Sequence, residues 1–165
     1  MTLYVIRHGI AEDAAPGMPD EARRLTAEGK TRMRGAARGM RALRLDIDVL
    51  LTSPLVRARE TAEIIAEVYG NIAPRELPAL ASGVAPAETV RALRPFARRA
   101  RVAIVGHEPG LSGIASLLLT GSTEGVRIAL KKGAVIALDL DGIGPRSDAT
   151  LRWLLTAKQL RRIGR

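Results

Sequence analysis

Short apolar runs alternate with longer stretches whose apolar residues recur every three or four positions. That alternation constrains the fold more than any other feature of the chain. Leu3-Tyr4-Val5-Ile6, Val49-Leu50-Leu51-Thr52 and Val102-Ala103-Ile104-Val105 are short and almost uniformly apolar, which reads as strands buried on both faces. Between the first two, Met33, Ala36, Ala37, Met40 and Leu43 form a helical stripe over residues 27–43, with Thr26 as its N-cap. Ser53 and Pro54 read as the N-cap and first residue of a second helix, which ends near Tyr69 at Gly70-Asn71. A brief extended piece over 74–77 and helices over 87–96 and 110–119 follow. Residues 134–140 and 151–155 read as closing strands joined by a turn containing Asp141-Gly142. Arg161, Arg162 and Arg165 read as a frayed, solvated end.

This order predicts an α/β three-layer sandwich, with a mostly parallel central sheet, helices on both faces and an antiparallel edge. A single domain over 1–165 is the expectation at this length. The chain has no cysteine, so no disulfide framework exists. Leu3 to Ile6 is too short for a signal-peptide core, and no apolar run approaches membrane-spanning length. A cytoplasmic protein is the expectation.

The formal charge is +9, which asks for an anionic partner. The arginines are dispersed: Arg32, Arg34, Arg38, Arg41 and Arg44 on one expected helix, Arg91 and Arg94 on another. Tyr4, Tyr69, Phe96 and Trp153 are the only aromatics, too few for a platform that stacks single-stranded nucleic acid. The charge reads as a solvated surface with a focused positive site within it.

The chain has two histidines, and each follows a buried strand. Arg7-His8-Gly9 ends the first, and Gly106-His107 ends the one over 102–105. In open α/β sheets ligands bind outside the carboxyl ends of the strands. If those two strands are parallel neighbours, the imidazoles share one site. Two histidines are half of a zinc site, but the chain offers no cysteine or third histidine, and Arg7 beside His8 repels a cation. An anion is the better guest, and no metal or cofactor is expected. Ser53-Pro54-Leu55-Val56-Arg57 follows the second strand. There a helix N-terminus turns its free N–H groups toward the crevice, and Arg57, about one turn in, reaches back to the mouth. Arg59 points round the helix to solvent. Alone, Arg57 reads as a solvated arginine paired with Glu60 or Thr61. With Arg7, His8 and His107 it reads as one wall of an oxyanion site.

These motifs resemble the histidine phosphatase superfamily, the phosphoglycerate-mutase-like fold. The resemblance rests on Arg7-His8-Gly9, on Ser53-Pro54-x-x-Arg57-Ala58-x-x-Thr61-Ala62, and on Gly106-His107-Glu108-Pro109. The short length, Arg24-Leu25-Thr26-Ala27-Glu28-Gly29 and Lys131-Lys132-Gly133-Ala134 are similar to SixA-type phosphohistidine phosphatases. The resemblance implies that His8 is the nucleophile and that Arg7, Arg57 and His107 cradle the phosphoryl group. It also implies a phosphorylated protein as partner, from a phosphorelay or phosphotransfer system. Many members carry an acidic proton donor after the third strand. Residues 77–84 contain none, leaving Glu12, Asp13 and Glu108 as substitutes. A missing acid fits an imidazole leaving group better than an alkoxide. The competing readings are a small-molecule phosphomonoesterase of the same fold, an inactive phosphate-binding scaffold and a basic nucleic-acid-binding domain.

Overall fold

The computed structural model describes residues 1–144 and 148–165. Six strands form one sheet in the order β3-β2-β4-β1-β5-β6: β1 (Thr2–Arg7), β2 (Val49–Thr52), β3 (Pro74–Glu76), β4 (Arg101–Gly106), β5 (Val135–Leu140) and β6 (Ala149–Leu155). The first four are parallel to one another, while β5 runs antiparallel to both β1 and β6. The expected sandwich with an antiparallel edge is therefore present.

Alternation along each central strand divides the core. Leu3 and Val5 face one side of the sheet with Leu51, Ile104 and Ile136, beneath α3 (Pro86–Leu93) and α4 (Gly110–Thr120). Tyr4 and Ile6 face the other side with Leu50, Ala103 and Val105, beneath α1 (Ala27–Ala42) and α2 (Val56–Tyr69). The expected stripe is real: Met33, Ala36, Ala37 and Met40 are buried, and Thr26 caps α1 by accepting from the Gly29 N–H. Arg44 lies beyond the end of α1 with φ +54°, so it does not extend the helical arginine row.

The C-terminal tail departs from expectation. Residues read as a frayed end form α5 (Ala157–Ile163), which packs against α1. Thr156 accepts from the Gln159 N–H, and the Gln159 side chain accepts in return from the Thr156 N–H. This reciprocal capping supplies partners for two otherwise unpaired donors. Leu160 is fully buried. A Cβ on Gly39 would collide with the Leu160 carbonyl oxygen, so glycine sets how closely α1 and α5 approach. Gly39→Ala gains about 1 kcal/mol of helix propensity, but the added methyl meets backbone that cannot rotate away. The collision is expected to win, for a net loss of about 2 kcal/mol. Urea unfolding measures this, and unchanged or raised stability would show that α5 does not hold this position.

β1 and β4 are neighbours, yet the chain leaves β1 toward α1 on one face and β4 toward α4 on the other. Divergent connections open a crevice at the carboxyl ends of these strands.

Candidate active site

Backbone hydrogen bonds hold three strand ends at that crevice. The His8 N–H donates to the Gly106 carbonyl at 3.1 Å, and the Ser53 N–H donates to the Val105 carbonyl at 2.9 Å. The Gly133 N–H reaches the carbonyls of Arg7 and His8, both at 3.1 Å. Thr61, fully buried, ties α2 to this edge: its hydroxyl accepts from the Gly9 N–H at 3.1 Å and donates to the Arg57 carbonyl at 2.7 Å.

The two imidazoles meet as expected, with ring centroids 5.1 Å apart. His8, His107 and Arg57 are each 5% exposed. His8 Nδ1 lies 2.7 Å from the Gly9 carbonyl oxygen. A carbonyl only accepts, so Nδ1 carries the proton and Nε2 keeps its lone pair. His107 Nε2 pairs with the Ser53 hydroxyl at 2.8 Å. Ser53 therefore serves His107 and the Leu55 N–H rather than capping a helix, and α2 begins at Val56, two residues later than expected. Arg57 consequently sits in the first turn of α2, closer to the mouth than the sequence suggests. Arg59 is exposed, as expected.

Arg57 pairs with neither Glu60 nor the Thr61 side chain through its guanidinium. Its Nη1 donates to the Asp20 carbonyl at 2.6 Å, and its Nη2 donates to the Asp20 carboxylate at 2.7 Å. Arg7 Nη1 donates to the Leu130 carbonyl at 2.8 Å. Among the described residues, three buried side-chain nitrogens keep no partner: Arg7 Nε, Arg57 Nε and His107 Nδ1. Buried donors are nearly always satisfied. Arg7 and Arg57 lie close enough to act electrostatically on both imidazoles, and guanidinium donors beside two imidazoles suit a tetrahedral oxyanion such as a phosphoryl group.

Glu60, nearly buried, fastens the loop before α1 to α2. Its carboxylate accepts from the Leu25 N–H, Lys30 and Arg24. Burial raises its pKa, but these three donors outweigh burial and leave it below the usual value. Glu12, Asp13 and Glu108 do not hydrogen-bond to any of the four site residues among the described residues. Glu12 accepts from the Arg24 N–H, Glu108 from the Ser112 N–H in the first turn of α4, and Asp13 is exposed. Residues of the 77–84 segment line a small cavity beside His107. No group of three His, Cys, Asp or Glu side chains is placed to hold a metal ion among the described residues. No helix among them is long and apolar enough to cross a membrane.

Burial is the main reason His8 titrates at about 3, with His107, Arg57 and Arg7 adding to it and the Gly9 carbonyl opposing. Burial again, then Arg57 and Arg7 against the opposing Asp20, brings His107 to about 4. The arginines contribute, but desolvation is the larger cause at His8. Both rings are neutral at pH 7. Unfolded histidine binds a proton near 6.5, so the unfolded state holds more protons between pH 6.5 and 3 and stability falls on acidification through that window. With two histidines in the chain, an NMR titration resolves both. Midpoints of about 3 and 4 are expected; midpoints near 6.5 would mean that the site is solvated.

Parallel strands that deliver two histidines and two arginines to one crevice define a phosphoryl-handling α/β protein. The family comparison agrees: the model for the histidine phosphatase superfamily (branch 1) matches residues 3–82, which hold the first two motifs. The chain belongs to that superfamily. An uncharacterised protein of Picosynechococcus sp. is 38% identical over 144 residues, covering 84% of each chain. The protein histidine phosphatase SixA, solved as a tungstate complex, superposes with a TM-score of 0.84 at 25% identity, over 97% of this chain and 99% of that one. A phosphoserine phosphatase from Entamoeba histolytica shares the fold, with a TM-score of 0.71 at 16% identity over 96% and 98%. The fold is thus phosphoglycerate-mutase-like and hosts more than one phosphatase specificity.

Sequence reasoning anticipated the meeting of His8 and His107 but missed the contact of Asp20 with Arg57. Nothing local marks it, because Asp20 lies 37 positions from Arg57 and the contact exists only once the loop has folded. The capping pair Thr156 and Gln159 was visible as a Thr-x-x-Gln pattern and would have revealed α5.

Proposed function

We propose that this single-domain chain, 1–165, is a metal-independent phosphohistidine phosphatase acting in the cytoplasm on a phosphorylated protein. His8 Nε2 attacks phosphorus and forms a P–N bond while the substrate's P–N bond breaks. The substrate imidazole, protonated on its other ring nitrogen, leaves as a neutral ring that keeps the electron pair of the broken bond. Water next attacks phospho-His8, loses a proton, and releases inorganic phosphate and neutral His8. Arg7, Arg57 and His107 stabilise charge on the equatorial oxygens in both displacements.

One observation carries the substrate assignment. The 77–84 segment borders His107 and brings no carboxylate. The nearby carboxylates are committed: Asp20 is held ionised chiefly by its hydrogen bond to Arg57, and Glu108 caps α4. An alkoxide of high basicity would leave unprotonated and slowly, whereas an imidazole with a pKa of about 6.5 needs little help. A weakly basic His8 also accepts a phosphoryl group more readily from another imidazole than from an alcohol. The SixA likeness supports the same reading.

A substrate panel at fixed pH tests it. Phosphohistidine protein is expected to turn over fastest, aryl phosphates with acidic phenols more slowly, and sugar phosphates poorly. Sugar phosphates cleaved as fast as phosphohistidine would favour the small-molecule phosphomonoesterase, with Glu12 and Glu108 the first positions to mutate.

A further inference from the structure

Beside the catalytic crevice lies a groove of about 680 Å³ whose lining holds six cations and no carboxylate: Arg7, Arg32, Lys131, Lys132, Lys158 and Arg161. Arg32 is paired with Glu28 within α1. Lys131, Lys132, Lys158 and Arg161 have no ion-pair partner among the described residues. Elsewhere Arg23, Arg34, Arg59, Arg101 and Arg152 each meet an acid, whereas exposed Arg38, Arg91 and Arg99 have no ion-pair partner among the described residues; the groove is set apart by gathering six cations around one concavity that no carboxylate lines.

The groove is built onto the catalytic edge. Gly133 directly follows the two lysines, and its N–H bonds the carbonyls of Arg7 and His8. Gly35 has no Cβ, and the Arg161 stem lies close against that position on α1. The α5 helix, absent from the sequence-level reading, thus supplies two of the six cations.

We propose that this groove docks an acidic face of the phosphorylated protein and steers its phosphohistidine onto His8. The inference rests on the proposed function, because phosphohistidine is borne by a protein. The chemistry favours a protein over a small bis-anion: Lys131, Lys132 and Lys158 are exposed, and hydrated lysine ammoniums on flexible stems attract a charged surface without the fixed fork that clamps a small ligand. No aromatic side chain lines the groove to stack a base. Its concavity suits a protruding acidic element rather than a flat membrane.

The experiment compares the wild-type chain with the double variant Lys132→Glu, Lys158→Glu. Lys158 is in the first turn of α5, where glutamate is favoured, so the helix is expected to persist. The substrates are an acidic histidine-containing domain phosphorylated with phosphoramidate, the same domain with its acidic face neutralised, and an aryl phosphate. The variant is expected to lose about tenfold or more in kcat/KM on the acidic domain through KM. It should retain wild-type rates on the aryl phosphate, and wild-type preference for the acidic domain should fade with added salt. Equal kcat/KM of the two enzymes on the acidic domain would overturn the docking role. So would a matching loss on the aryl phosphate, which would make the groove a small-anion site. Failure of the wild-type chain to hydrolyse any phosphohistidine while cleaving the aryl phosphate would instead sink the substrate assignment.

Discussion

Replacing His8 with alanine is expected to eliminate turnover, by roughly 10⁴- to 10⁶-fold in kcat on any phosphate substrate. The size follows from the site. Water attacking directly would face the same cationic cradle, but without the nucleophile that divides one displacement into two. His107 cannot take over, because its Nε2 is held by the Ser53 hydroxyl and its ring, at the end of β4 rather than β1, is tilted 51° from that of His8. The fold is expected to survive, since His8 contributes one side-chain bond, to the adjacent Gly9 carbonyl. Removing a buried imidazole should also reduce acid sensitivity, because His8 no longer disfavours the folded state below pH 6.5. A His8→Ala protein within tenfold of wild-type kcat would require another nucleophile.

Arg57→Ala is the second large effect. Arg57 is buried in the first turn of α2, with its Nε unpartnered and both terminal nitrogens fixed by Asp20. Asp20 thereby orients the guanidinium before substrate arrives, so little reorganisation remains for the reaction. Loss of one such donor raises the barrier by about 2–4 kcal/mol, or 10²- to 10³-fold in kcat. Arg57→Lys keeps the charge but not the fork, and recovers only part of the loss. Steady-state kinetics on an aryl phosphate with an acidic phenol measure both variants. Equal activity of Arg57→Lys and wild type would reduce the role of Arg57 to net charge.

What the sequence reveals here follows the range of the interactions. The strands β1, β2 and β4 were readable because burial on both faces leaves an uninterrupted apolar run. Arg7, His8 and His107 were readable because they end two of those runs. The meeting of the histidines required only that β1 and β4 be parallel neighbours, which they are. The start of α2 was misplaced because Ser53-Pro54 looks like a helix opening, whereas the Ser53 hydroxyl is engaged by His107 across the sheet. The lowered basicity of His8 has burial as its largest cause, and burial exists only in the folded chain, although Arg57 and Arg7, which add to it, are visible in the sequence. The basic tail looked solvated by composition, yet Leu160 and the Thr156–Gln159 cap make it a helix that borders the site. Asp20 depends entirely on how the loop before α1 folds back onto α2.

Stereochemistry at phosphorus tests the central claim most directly. An aryl phosphorothioate made chiral with oxygen isotopes, hydrolysed in isotopically labelled water, reports how many displacements occur. Transfer to His8 Nε2 followed by water attack is two in-line displacements, and the account predicts net retention. Net inversion would mean a single attack by water, and His8 would not be the nucleophile.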